Sequence, residues 1–353
     1  LKHYQTDGHN ALDAISQAQR IVFAPMLFQA AWSLRESGIL AFLANQPQGA
    51  TSADIAAATG LTDYAASVLL DMGLGGGICH LSDDRYCLGK VGQYLHSDPM
   101  TRVNMDFVQH VCYRPLAHLH EAIISGKPEG LREFGDWQTI YPHLKDLPEP
   151  ARSSWFRFDH FYSDWAFKQA QDHVLAYEPQ HLYDLGGNTG KWALSCAKRD
   201  PKLQVTILDL PEQIAMANST IREANLQDRV HGHPVNLLEE GQLPGDADIW
   251  WMSQFLDCFS HEQIVSLLKR IRRSMKPGAR VCILELFWDR QPFEAASFSL
   301  NATSLYFTCL ANGNSRFYHS REMYQCLREA EFHVEADHDI AGPGHTLLVA
   351  RPL

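Results

Sequence analysis

No CxxC pair occurs among the eight cysteines of this 353-residue chain, which fall at 79, 87, 112, 196, 258, 282, 309 and 326. So sparse a set excludes a small disulfide-built scaffold, and the thiols are expected to stay reduced, as in a cytoplasmic protein. Long apolar runs are missing too. The most apolar stretch, Ile21 to Leu34, has 14 residues and contains Pro25 and Gln29. A bilayer-spanning helix needs about 20, so this segment suits a buried or interface helix and no membrane partner is expected. The first residues, LKHYQTDGHN, lack the apolar centre of a secretory leader. Positive charge is in deficit: 30 Lys and Arg against 41 Asp and Glu give a net charge of −11. Such a chain repels phosphate backbones and anionic membranes unless it hides a local basic face. Metal-ligand spacing is absent despite 18 histidines. His118 and His120 fall on different sides of a helix, while His231 and His233 share a strand face but no third ligand follows. No metal is expected.

What is present is an ordinary globular balance, 45% hydrophobic and 20% charged, in a length that suits two domains at roughly 150 residues each. Residues 1–105 read as helical, with a distinct grammar over 51–95. Thr51 or Ser52 caps a short helix that Gly60 ends, and Thr62 or Asp63 opens a second that stops at Gly75 to Gly77. The segments ICHL and RYCLG then flank a turn at Ser82, Asp83 and Asp84, which predicts a hairpin and hence a winged-helix layout. A winged helix raises the possibility of a DNA-binding, ligand-sensing regulator. Charge opposes it: Arg85 and Lys90 face five aspartates over 51–95, a net −3, and the second helix has no Lys or Arg. The module can neither neutralise phosphates nor read bases, and a dimerisation role fits it better.

Residues 106–175 read as a helical linker rich in aromatics, including Tyr113, Trp137, Tyr141 and the run SSWFRFDHFYSDWAF. It serves either as a packed connecting layer or as a wall over a small-molecule site. From 176 to 353 strands alternate with helices. HLYDLG, QVTILDL, VHGHPV, ADIWWMS, ARVCILEL, 332–338 and 345–351 make seven candidate strands. The alternation predicts an α/β fold, a Rossmann-like doubly wound and mostly parallel sheet, with its ligand at the carboxyl ends of the strands.

The first of these strands runs into Asp184-Leu-Gly186-Gly187-Asn188-Thr189-Gly190 and a helix. Its glycines permit a tight turn and close approach of a ligand, yet the dinucleotide pattern G-x-G-x-x-G is not met. Asp209 closes the second strand 19 residues beyond Gly190, where a carboxylate can accept both ribose hydroxyls of a nucleoside. DLGGNTG, LDLP and PGARVCILEL, with the winged-helix front and RVHGHPVNLLE, resemble the class I S-adenosylmethionine-dependent methyltransferases. More narrowly they resemble the dimeric small-molecule O-methyltransferases, among them plant phenylpropanoid and bacterial polyketide-tailoring enzymes, over nearly the whole chain. The resemblance implies S-adenosyl-L-methionine as cofactor, S-adenosyl-L-homocysteine as product and a homodimer formed through the N-terminal domain. By it, Gly186, Gly187 and Gly190 pack against the methionine portion and ribose, with Asp184 shaping the loop. Asp209 holds the ribose, Leu210 lies against adenine, and Asn236 and Leu237 sit beside the adenine amine. Ser163 contacts the amino-acid end, and Ser253 joins the cofactor set. Asn188 stands where the family has a middle glycine, and Asn236 replaces an acid; Asn tolerates left-handed backbone, and its amide oxygen still accepts.

Where the plant-type family carries its catalytic histidine, in a segment like L-H-D-W-S-D-E, this chain reads Phe255-Leu-Asp257-Cys258-Phe259-Ser260-His261-Glu262. The histidine becomes Asp257, the following acid becomes Cys258, and His261 falls in the next helix cap, pointing at solvent. Asp257 serves as the base if an apolar pocket of Phe255, Phe259 and Trp251 raises its pKa. Otherwise His160 or His110 reaches in from the aromatic layer, or Asp257 merely caps the next helix in competition with Ser260. Glu285 matches a family acid that orients base or substrate. Asn301, Tyr306 and Arg316 are further candidate pocket residues beside Phe255 and Phe259. The expected activity is methyl transfer to an aromatic, phenolic small molecule or a carrier-bound one. O-methylation comes first, with C-methylation ortho to a phenolate, other chemistry on the same cofactor, or the regulator as alternatives. A mobility-shift assay with duplex DNA at low salt should show no complex; a tight shift would restore the regulator.

Overall fold

The computed structural model describes residues 4–340, 342 and 344–353, without the side chains of 163–165. The chain forms two compact units, Lys2–Gln109 and His110–Leu353.

In the first unit, local chemistry sets each boundary. The apolar run from Ile21 is broken at Phe23, because Pro25 lacks an amide proton and suits a helix start; α1 (Ala11–Val22) ends there and α2 (Ala24–Glu36) begins. α3 (Ile39–Ala44) follows. Thr51 and Asp54 form a reciprocal capping box at the head of α4 (Ser52–Thr59), and the Thr62 hydroxyl accepts from Ala65 N at the head of α5 (Asp63–Gly75). Strands β1 (Cys79–Ser82) and β2 (Arg85–Leu88) are joined by Asp83 and Asp84, both left-handed as a tight hairpin turn demands. An isolated bridge from Ala50 to Tyr86 adds a third edge to this wing. α6 (Lys90–Ser97) and α7 (Pro99–Phe107) close the unit. Leu34, Ile39, Leu40, Ile55, Leu70 and Ile78 form its core. α1 buries nothing in the single chain: Leu12, Ile15, Ile21 and Val22 are all exposed.

The second unit combines a helical layer with the sheet. Helical structure covers α8 (Leu119–Ser125) and the 25-residue α9 (Ala151–Leu175), but between them the chain makes only single 3-10 turns. Pro128, Pro142, Pro148 and Pro150 remove backbone donors there, so the helical reading of 106–175 fails over its middle. Then come β3 (His181–Leu185), α10 (Lys191–Arg199), β4 (Gln204–Asp209), α11 (Pro211–Glu223), β5 (Val230–Pro234) and β6 (Ile249–Ser253). The chain continues through α12 (His261–Ser274), β7 (Arg280–Leu286), α13 (Glu294–Tyr306), α14 (Ser320–Glu329), β8 (Phe332–Asp339) and β9 (His345–Pro352).

The seven strands pair in the order β5-β4-β3-β6-β7-β9-β8, parallel except where β9 runs against β7 and β8. Chain order reverses between β3 and β6, so a crevice opens at their carboxyl ends. Alternation along the strands separates two cores. Tyr183, Trp250, Met252 and Ile283 pack with α12 and α14 on one face; Leu182, Ile207, Trp251 and Leu284 pack with α9, α10 and α11 on the other. No described helix is long and apolar enough to cross a membrane.

α12 is the element that follows the Asp257 segment directly. Ser260 Oγ accepts from Gln263 N at 3.3 Å and Gln263 Oε1 accepts from Ser260 N at 2.8 Å, so the helix is capped without Asp257. Ser260→Ala should cost about 1 kcal/mol in urea unfolding. An unchanged midpoint would mean that the cap contributes nothing.

Candidate active site

The loop after β3 sits at the crevice. Gly186 takes a φ of +68° beneath the Phe255 ring, which any Cβ would strike. A Cβ on Gly187 would come within 2.6 Å of Asp184 Oδ2. Asn188 has a φ of +50°, the left-handed geometry that a glycine would otherwise supply, and its N–H donates to Asp209 Oδ2 at 2.8 Å. The other Asp209 oxygen accepts from Leu210 N at 2.7 Å. Burial pushes the Asp209 carboxyl up to about 6 against these two bonds. Asp184 is fully buried and is pushed up to about 8, by desolvation first and then by the Asp209 charge.

Three buried polar atoms at the carboxyl ends of β3 and β6 have no hydrogen-bond partner among the described residues: Asp184 Oδ2, Asn188 Oδ1 and Ser253 Oγ. Buried polar groups are ordinarily satisfied, so these mark where a polar ligand belongs. Beside them, a cleft of about 450 Å³ is lined by Leu210, Pro211, Val235, Asn236 and Arg270, among others. The glycine-lined turn, the Asp209 carboxyl at the end of β4, the unsatisfied polar atoms and this cleft fit a nucleoside with a polar amino-acid tail.

On the other side of the crevice, the chain leaves β6 through Gln254, whose φ is +45°, into a short 3-10 turn at Leu256–Cys258. Glu285, near the end of β7, holds that turn: its Oε1 accepts from Phe255 N at 3.0 Å and Leu256 N at 2.8 Å. Asn312 Nδ2 donates to Cys258 O at 2.5 Å, and the Tyr318 hydroxyl donates to Phe259 O at 2.6 Å. Asp257 is thereby fixed and buried. Desolvation pushes its carboxyl up to about 7; the Cys258 thiol, donating at 3.5 Å, opposes this, and the Asp159 charge adds to it. Glu285 is raised as well, by burial and then by Asp257. The Tyr141 hydroxyl is buried against the Cys258 thiol, and the Tyr306 hydroxyl accepts from Trp155 Nε1 at 2.7 Å. Burial raises both phenols, so they stay protonated.

The structure gathers Asp184, Gly186, Gly187, Asn188, Gly190, Asp209, Leu210, Asn236 and Ser253 at the crevice, and Phe255, Asp257, Phe259, Glu285 and Tyr306 around the turn. Other expected residues lie elsewhere. Trp251 faces the opposite core, stacked on Trp192 at 3.8 Å, because strand alternation turns it away from Asp257. Leu237 is buried in the core, its carbonyl held by Arg270 at 2.7 Å. Asn301 is exposed on α13, and Arg316 is exposed and paired with Glu322, so neither joins the buried set. His261 does not simply face solvent; it lies between Cys326 Sγ at 3.3 Å and Glu329 Oε2 at 3.3 Å. His160 is half-buried on α9, one turn from Phe156, and His110 Nδ1 lies 2.9 Å from Ser154 Oγ. The Ser163 side chain lies outside the described residues. Tyr141 and Trp155 belong to the aromatic layer that the sequence marks as a candidate wall over a site, without a signal that singles them out; Asp159 has no such signal at all.

Two family models match the chain: an O-methyltransferase domain over residues 169–333 and a Dimerisation2-like domain over 16–86. An L-tyrosine C(3)-methyltransferase of Streptomyces lavendulae is 25% identical over 330 residues, 92% of this chain and 89% of that protein. Human acetylserotonin O-methyltransferase is 23% identical, over 78% of this chain and 82% of its own. Among solved structures, the apo form of the S-adenosylmethionine-dependent methyltransferase SibL superposes with a TM-score of 0.73 at 24% identity, covering 96% of this chain and all of that one, and shows the same fold. An O-methyltransferase domain thus follows a Dimerisation2-like domain in this chain, and the two matches with their methyltransferase relatives support an S-adenosylmethionine-dependent methyltransferase.

Because Gly186 meets both a left-handed backbone and the Phe255 ring, Gly186→Ala should weaken S-adenosylhomocysteine binding about tenfold or more while the protein still unfolds cooperatively. Calorimetry with an unchanged affinity would remove the loop from the donor site.

Proposed function

We propose that the protein methylates the hydroxyl of an aromatic, phenolic small molecule, with Asp257 as the base. The observation that carries this reading is the burial of Asp257, which raises its carboxyl to about 7 at the place where the family has histidine. A phenol titrates near 10, so a carboxylate at its ordinary value is too weak to take its proton, whereas one near neutrality has the basicity of an imidazole. Glu285 contributes by holding the turn through two backbone N–H groups, and burial and the Asp257 charge raise its own carboxyl. Phe255, Phe259, Tyr306 and Tyr141 offer an aromatic lining suited to a flat ring.

Asp209 would hold the donor's ribose hydroxyls, Leu210 and Asn236 its adenine, and Asn188 and Ser253 the amino-acid end. When bound there, the donor supplies an electrophilic methyl group on a sulfonium. Asn236 Oδ1 already accepts from Leu238 N at 3.0 Å, which fixes its orientation and leaves a second lone pair. The Dimerisation2-like domain and the exposed apolar residues of α1 support a homodimer, in which Leu12, Ile15, Ile21 and Val22 would leave water.

A second reading, methylation of a ring carbon ortho to the phenolate, is favoured by the tyrosine C(3)-methyltransferase that matches most of the chain. The same deprotonation activates that carbon. Asp257→Asn should collapse turnover on a phenol panel, read by mass spectrometry with labelled methyl donor, and leave S-adenosylhomocysteine affinity intact. Retained turnover would remove Asp257 as base and turn attention to His160 and His110. Fragmentation of the product assigns the methyl to oxygen or carbon.

A further inference from the structure

α9 reaches the donor loop through one side chain. Asn188 donates from Nδ2 to Asp159 Oδ2 at 3.4 Å, while its backbone N–H donates to Asp209 Oδ2 at 2.8 Å. With its amide nitrogen on Asp159, Asn188 presents its amide oxygen as an acceptor. That oxygen is buried and has no hydrogen-bond partner among the described residues. The loop and α9 therefore bring an unspent amide oxygen and a half-buried carboxyl within the span of one side chain. We propose that Asn188 and Asp159 form the subsite for the ammonium group of the donor's amino-acid tail, and that Asp159 makes the site select donors bearing that group.

The chemistry of the pair sets the ligand. An ammonium carries three N–H donors and no acceptor, so it is satisfied by a group of oxygens, best with a carboxyl among them. A carboxylate placed here would meet only oxygens, because the amide nitrogen is already spent on Asp159. Among the other unsatisfied atoms, Ser253 Oγ at the end of β6 can donate as well as accept, which suits the carboxylate of the same tail. Asn188 also separates two acids. Its backbone N–H faces Asp209, whose other oxygen takes Leu210 N, and its side chain faces Asp159. The ribose and the tail of one ligand would thus each meet a different carboxyl, set apart by a single residue. A glycine at 188 would adopt the same left-handed backbone but would supply neither the amide oxygen nor the contact with α9.

This assignment rests on the reading of the crevice as the donor site, and the ligands below test the two separately. Calorimetry on the full chain would compare S-adenosylhomocysteine, its deaminated analogue with hydrogen in place of the amino group, and 5′-methylthioadenosine, which lacks the whole amino-acid tail. Asp159→Asn keeps the shape of the side chain and removes its charge. It should weaken S-adenosylhomocysteine about tenfold to a hundredfold, the loss of a charge-assisted hydrogen bond, and change the other two ligands less than about twofold. Asn188→Gly keeps the backbone geometry and the N–H for Asp209, and should weaken S-adenosylhomocysteine about threefold to tenfold with the other two again little changed. The parent's preference for S-adenosylhomocysteine over the deaminated analogue should therefore shrink in both variants. Equal losses for all three ligands would mean that the pair only braces α9 against the loop, and would overturn the proposal; so would a preference that neither variant moves. If the parent binds neither S-adenosylhomocysteine nor 5′-methylthioadenosine, the donor-site reading fails and takes the subsite with it.

Discussion

The burial of carboxyl groups at the carboxyl edge of the sheet is the constraint on which the rest of the second unit depends. Asp184, Asp209, Asp257 and Glu285 all leave water there, and each is held by something the fold must provide. Asp209 takes two backbone N–H groups from the loop and the following residue; Glu285 takes two from the turn after β6. Those bonds fix the backbone on either side of the crevice, so the acids organise the loops as much as the loops position the acids. An isolated buried charge would cost too much to retain, and pairing each with backbone dipoles while keeping several protonated is how the structure tolerates the set.

Much of this architecture is legible in the sequence. The strands near 181, 204, 249 and 280 are short apolar runs with turn residues at both ends, and the glycine loop announced the crevice. The capping residues Thr51, Thr62 and Ser260 likewise start helices where their hydroxyls can reach backbone donors. Asp257 stood out because an acid occupied the place of a histidine.

What stayed hidden was whatever depends on contact between distant elements. Asp159 meets Asn188 only after α9 is laid against the sheet, and nothing local in FRFDHFYSD distinguishes it from a solvated acid. Trp251 was misassigned for a related reason: nearness in sequence to Asp257 suggested nearness in space, but the two-residue period of a strand turned its ring to the far face. Asn301 and Arg316 were drawn from a segment whose aromatics looked like a pocket wall, and on α13 and beyond they face outward. The long aromatic segment gave no clean period because its middle is a succession of proline-broken turns.

Cys258 adds a chemical consequence. It adjoins the proposed base, and in a protein that handles an alkylating sulfonium the most dangerous neighbour is a thiolate, the form of cysteine that attacks carbon electrophiles. Burial and the charge of Asp257 push this thiol well above its ordinary range, and it spends its proton on Asp257 Oδ1. The burial that raises the aspartate therefore also silences the sulfur beside it, so that a soft nucleophile next to the proposed base would not compete for the methyl group.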